Sequence, residues 1–163
     1  MESSVKVSMS RPLARTESKF MAKSYWLLKS EPDVYGWDDL VAEGEGTWDG
    51  VRNYTARLNL RAMAKGDEAF FYHSNIGLEI VGIVRISKPG FQDPSDDTGT
   101  WTSVKVRPVR KLRRPVTLKE MKGDPALAGM ELLTKFRLSV SKVSAAEWQH
   151  ILGLSKRKAP AGT

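Results

Sequence analysis

The chain has no cysteine. That absence excludes a disulfide scaffold, a thiolate zinc site and a cysteine nucleophile together. Histidine is nearly as scarce, with only His73 and His150, so a multi-histidine metal site cannot be assembled and neither a metal nor any other cofactor is expected. No stretch approaches the roughly 18 consecutive apolar residues that a bilayer crossing needs, which makes a soluble protein without a membrane partner the expectation. The phosphate-cradling pattern G-x-x-x-x-G-K-[ST], the dinucleotide pattern G-x-G-x-x-G and the nucleophile elbow G-x-S-x-G are all missing, which removes the common nucleotide-binding and hydrolase signatures. Nothing repeats internally and no tract is of low complexity.

What is there is a chain of 163 residues, 40% hydrophobic and 28% charged, with five Trp, four Tyr and five Phe. That is the composition of one folded domain with tails. The formal net charge is +7, and six of those units belong to the two ends: residues 1–24 hold five bases against two acids, and the C-terminal tail 156–163 contributes Lys156, Arg157 and Lys158. The body between them is close to neutral, but its charge is segregated. Glu31 to Asp49 carries seven acids and no base, whereas Lys105, Arg107, Arg110, Lys111, Arg113 and Arg114 fall within ten positions that contain no acid. A basic cluster of this kind can follow a phosphate backbone, and it can equally be a solvated strand edge and loop. Residues 1–24 have no continuous apolar core, so they are no secretory signal. They are expected to be a disordered extension, or a non-native start ahead of Met21.

Along the body, Ser24 to Lys29 reads as a buried strand stopped by the turn Ser30-Glu31-Pro32-Asp33. Asp38 to Ala42 predicts a short helix ending near Gly44, and Thr47 to Arg52 an irregular stretch. Asn53 is placed to cap a helix over 55–63, where Ala56, Leu60 and Met63 share a face. Strands are predicted over 68–73 and 77–87, a long surface loop over 88–100, and strands over 101–108 and 138–143. Thr117 to Glu120 and Ser144 to Glu147 match the capping box, each opening a helix. The second buries Trp148, Ile151 and Leu152 and closes at Gly153.

Two residues have the chemistry for a site. His73, at a strand end beside Ser74, is the one side chain with a claim on acid–base work, but neighbours on a strand point to opposite faces, and a histidine bonded to backbone is the simpler reading. Trp48 lies in a glycine-flanked loop beside Arg52 and Asn53. A ring for stacking and amide and guanidinium groups for a polar edge are the ingredients of a base site, against the alternative of a core tryptophan.

Three segments in order carry a family resemblance: YWLLKSEP from Tyr25, WDGVRNYTAR from Trp48, and GDEAFFYHS from Gly66, followed by Asp93-Pro94, Trp101 and the stretch Arg137 to Ser141. Together they resemble the EVE domain over about residues 25–155. The resemblance implies a single mixed α/β (α+β) domain with a PUA-like β-barrel and short helices around it. It further implies a non-enzymatic reader of a modified nucleic-acid base, with modified cytosine in DNA favoured, in an aromatic-lined pocket. Carried onto this chain, it nominates Trp26, Ser30, Trp48, Val51, Arg52, Asn53, Tyr72, His73, Ser74, Arg137 and Ser139 for the base site; the charge pattern itself offers the Lys105 to Arg114 cluster, with Arg52, for phosphate. The partner would be DNA or RNA bound by a monomer, in the nucleus of a eukaryote or the cytoplasm of a bacterium. The rival readings are RNA or a modified tRNA nucleotide in the same pocket, a small hydrolase that pairs His73 with Ser74 or Asp49, and an adaptor domain.

Overall fold

The computed structural model describes residues 23–160. The expectations for the N-terminal extension fall almost wholly outside the described residues, as do the last three positions of the basic tail.

Among the described residues, six strands form one sheet. They are β1 (Tyr25–Ser30), β2 (Gly46–Trp48), β3 (Glu68–His73), β4 (Glu79–Gln92), β5 (Thr102–Thr117) and β6 (Val140–Val143), arranged in the order β2-β5-β4-β3-β1-β6. Strands β1 and β3 run parallel, from Tyr25 opposite Glu68 to Ser30 opposite His73, and every other pairing is antiparallel. The helices are α1 (Pro32–Tyr35), α2 (Trp37–Glu43), α3 (Tyr54–Ala62), α4 (Leu118–Lys122), α5 (Glu131–Thr134) and α6 (Ala145–Ser155), with a 3₁₀ turn at Pro125–Leu127.

Successive side chains on a strand face opposite ways, so a strand apolar at every position must be covered on both faces. The buried stretches Trp26 to Leu28 of β1 and Ala69 to Tyr72 of β3 are of that kind, and they feed two separate cores. Trp26, Leu28, Ala69 and Phe71 pack with Leu40 of α2 and Ala56 and Leu60 of α3. Leu27, Phe70 and Tyr72 pack on the other side with Met121 of α4 and Trp148 and Ile151 of α6.

The expected β-barrel is corrected by this arrangement. The sheet is open, with β2 and β6 at its two ends, and it separates two cores where a closed barrel would enclose one. Strand β2, three residues long, pairs only with Val104 to Val106 of the sixteen-residue β5, so it is too short to carry the sheet round to closure.

Two long strands also exceed their predicted spans. Strand β4 runs on into the predicted loop as far as Gln92, leaving 93–100 as loop, and a register shift between Lys88 and Phe91 accommodates Pro89 and Gly90. Strand β5 continues past 108 to Thr117, so the basic cluster lies within a strand. The caps are as expected at Asn53, whose Oδ1 accepts the Ala56 N–H at 2.9 Å, and at Ser144 with Glu147. Thr117 caps α4, but Glu120 takes both terminal nitrogens of Arg114, at 2.7 and 2.8 Å. Helix α6 passes Gly153 and ends at Ser155, with Leu154 buried and Leu152 only partly so.

Candidate functional site

The ends of β1 and β2 and the residue before β6 meet at a cleft of about 660 Å³. The Lys29 N–H donates to the Ser139 carbonyl at 3.0 Å, which brings Ser139 beside Ser30. Pairing of β2 with β5 sets Trp48 opposite Val104. The Trp48 side chain is 7% exposed and held edge-on by Tyr35, with ring centroids 6.2 Å apart, and by Phe71 at 5.5 Å. Ser30 Oγ donates to the Tyr35 carbonyl. The Tyr35 hydroxyl in turn donates to Glu43, and burial together with that carboxylate pushes the phenol far above its ordinary range, so it stays a neutral donor.

The other wall is the loop Asp49 to Arg52. Gly50 has φ +77°, a conformation that glycine adopts without the cost a side chain would add. Its N–H donates to Asp93 Oδ2 at 2.8 Å, and Arg52 donates to the same oxygen at 3.0 Å and to Ser95 Oγ at 3.1 Å. Asp93 is 0% exposed. Burial opposes its charge, but hydrogen bonds from Ser95, Arg52 and Gly50 outweigh that effect and hold the carboxyl down at about 2. One buried carboxylate thus fixes the backbone and the guanidinium that line the cleft. Neither Asp93 nor Tyr35 stood among the sequence-predicted site residues. Asp93-Pro94-Ser95 does carry a local signal, since Asp93 accepts the N–H two residues on at 2.7 Å, as an Asx-turn does.

Of the nominated base-contacting residues, the cleft brings together Ser30, Trp48, Val51, Arg52 and Ser139. Asn53 and Arg137 line a neighbouring cavity of about 420 Å³ with Lys135 and Phe136. Trp26 is buried in the core and its Nε1 donates to Asp67 at 3.1 Å. Tyr72 lies on the opposite face of the sheet, where burial, with a smaller effect of Glu79, pushes its phenol up to about 12. His73 Nε2 accepts the Trp37 N–H at 3.2 Å, and burial lowers the ring's pKa, with Lys111 adding to the effect and Asp38 opposing it. Ser74 donates its backbone N–H to the Ser30 carbonyl at 2.9 Å.

The basic cluster on β5 is partly neutralised. Arg107 pairs with Glu45 at 3.3 Å and Arg114 with Glu120, while Arg110, Lys111 and Arg113 are exposed and Lys105 is half-buried opposite Thr47. Among the described residues there is no cluster of three His, Asp or Glu that could hold a metal, and no helix is long and apolar enough to cross a membrane.

The chain is similar to human thymocyte nuclear protein 1, with 35% identity over 195 aligned positions covering 96% of this chain and 86% of that one. Among solved structures, a crystal structure of a protein from Agrobacterium tumefaciens matches with a TM-score of 0.79 at 42% identity, covering 84% of this chain and 96% of the other. Human THYN1, solved in complex with DNA containing 5-methylcytosine, matches with a TM-score of 0.75 at 35% identity over 84% of this chain and 100% of that one. The EVE domain pattern matches residues 24–154. By that match and these relatives, the chain belongs to the EVE domain family.

Proposed function

We propose that this protein is a non-enzymatic reader of modified cytosine in DNA, and that the base is turned out of its strand into the Trp48 cleft. One observation carries the reading. The Trp48 to Arg52 segment, fixed by buried Asp93, lines a cleft with Ser30 and Ser139, in a family whose human member THYN1 was solved with 5-methylcytosine-containing DNA. At about 660 Å³ the cleft lies within the range of roughly 300–1,000 Å³ typical of small-ligand sites.

Its chemistry suits the base. Cytosine presents an exocyclic amine, which can donate to the Asp49 carboxylate at the rim, and polar ring atoms for the Ser30 and Ser139 hydroxyls that line the cleft. A 5-methyl group calls for an apolar neighbour, which Val51 and the rings of Tyr35 and Trp48 supply. Arg52 is assigned a phosphate. Asn53 uses Oδ1 for its cap and keeps its NH₂ for the ligand, with Arg137 beside it in the second cavity. Extruding a base costs a few kcal/mol, and stacking returns roughly 1–3 kcal/mol per base, so hydrogen bonds to the polar edge decide the balance. Trp26, Tyr72, His73 and Ser74 serve by holding the strands whose ends form the cleft. His73 has Nε2 occupied by the Trp37 N–H and lies outside the cleft, which favours binding over hydrolysis. Such a reader works where DNA is, in the nucleus of a eukaryote or the cytoplasm of a bacterium.

The test is a titration of matched DNA duplexes, plain and 5-methylated at one cytosine, with an RNA form as competitor. The parent protein is expected to prefer the methylated duplex by about tenfold or more, about 1.4 kcal/mol. Trp48→Phe should erase that preference, and Asp49→Ala, which removes a contact common to both bases, should weaken both duplexes, each variant remaining folded; Trp48→Ala is unsuitable because truncating a buried tryptophan costs about 3–5 kcal/mol. Equal affinity of the parent for both duplexes contradicts the reading, and preference for the RNA form transfers it to RNA through a 2′-OH contact.

A further inference from the structure

A second basic surface adjoins the cleft, on the outer face of α3. The helix, YTARLNLRA, has no carboxylate. Tyr54 and Leu58, one turn apart, are 63% and 58% exposed. The Tyr54 ring lies 5.1 Å from that of Trp101, and the Arg57 guanidinium is 4.8 Å from the first and 5.7 Å from the second. Arg52, already part of the cleft wall, stands 5.6 Å from the Trp101 ring, so this cluster of aromatic and basic side chains is continuous with the cleft.

Arg52 is paired with Asp93, but the hydrogen bonds of Arg57 and Arg61 fix them without cancelling their charge. Arg57 donates to the Thr100 carbonyl at 3.0 Å, and Arg61 to Thr102 Oγ1 at 3.0 Å and Thr100 at 3.4 Å, all neutral oxygens. Asp96, the buried carboxylate of the adjoining loop, is occupied by Thr98, Thr100 and Trp101. On β5, by contrast, Arg107 and Arg114 face carboxylates. Guanidiniums without a carboxylate partner among the described residues, interleaved with the exposed Tyr54 ring and the half-buried Trp101 ring, make the pattern that binds a nucleic-acid strand: phosphates meet the cations and bases stack on the rings.

We infer that Tyr54, Arg57, Arg61 and Trp101 form the surface on which the DNA strand flanking the extruded base docks, with its phosphates on Arg57 and Arg61 and a neighbouring base stacked on Tyr54. This rests on the DNA-reading function proposed above, and it moves the backbone contact from β5 to α3. Affinity for the strand then comes from this surface and discrimination from the cleft.

The test titrates the full chain with plain and methylated duplexes at several salt concentrations. Tyr54→Ala, an exposed position that folding tolerates, should weaken both duplexes by the same factor, about tenfold, and leave their ratio unchanged. Arg61→Gln should reduce the slope of log affinity against log salt by about one. The control, Arg110→Gln with Arg113→Gln, should change little. Parent-like binding by Tyr54→Ala and Arg61→Gln, or a loss confined to the β5 variant, overturns the inference while the parent's preference for methylated DNA leaves the cleft reading standing. A parent that binds both duplexes alike, weakened by Tyr54→Ala, overturns the cleft reading and supports this surface. A parent that binds no nucleic acid overturns both.

Discussion

Asp93 is the residue on which the cleft wall depends. It collects donors from positions about forty residues earlier in the chain, Gly50 and Arg52, and from its own turn at Ser95. Asp93→Asn leaves the backbone in place but sets an amide against those donors, at a cost of about 2 kcal/mol, which corresponds to a fall in Tm of roughly 5 °C for a domain of this size. The same substitution should remove discrimination between methylated and plain DNA, because Gly50 and Arg52 lose their common anchor. The pH dependence has a definite sign. The Asp93 carboxyl titrates at about 2 in the fold against an ordinary 3.8, so in that interval the unfolded chain binds the proton first and stability falls as pH falls. Acid melts should therefore show a steeper loss between about pH 4 and pH 2 in the parent than in Asp93→Asn. Parallel curves would show that Asp93 does not hold the loop as described.

Among the elements, β4 and α2 show how closely the sheet is packed on its helices. A methyl group added at Gly82 would lie 2.5 Å from the Trp37 ring. Overpacking of that kind costs roughly 1–3 kcal/mol. Gly82→Ala is expected to lower Tm and to shift α2, whose first N–H is the one that His73 accepts; an unchanged melting curve would mean that the indole moves aside freely. Legibility in the sequence follows the same physics. Strand β3 is legible at both ends because it is apolar between a turn and a polar loop, and α3 to within one residue at each end because Asn53 supplies a local cap. Strand β2 and the far half of β5 were not legible. Three residues are too few to show a period, and β5 beyond Pro108 is paired to β4 by backbone bonds that its basic side chains do not advertise. Local chemistry writes local elements, whereas pairing between distant strands leaves little trace in either strand alone.

For the molecule as a whole, the open sheet decides which motifs meet. Parallel pairing of β1 with β3 brings Ser30 and His73 to one end of the sheet, but alternation of faces sends Tyr72 to the opposite core, away from the Trp48 cleft. The motif segments were visible as sequence; their division between cleft and core required the sheet order. Charge follows the same logic. Most of the net +7 lies in the two ends of the chain, and among the described residues the β5 arginines facing Glu45 and Glu120 are compensated while those of α3 have no carboxylate partner. The central claim is that the Trp48 cleft receives the modified base, and the most direct measurement is a crystal structure of the chain bound to a duplex carrying one 5-methylcytosine. The account predicts that base out of its stack, lying against Trp48 between Ser30 and Ser139 with its 5-methyl group toward Val51. A methylated base left paired in the duplex, or held anywhere else on the protein, would contradict it.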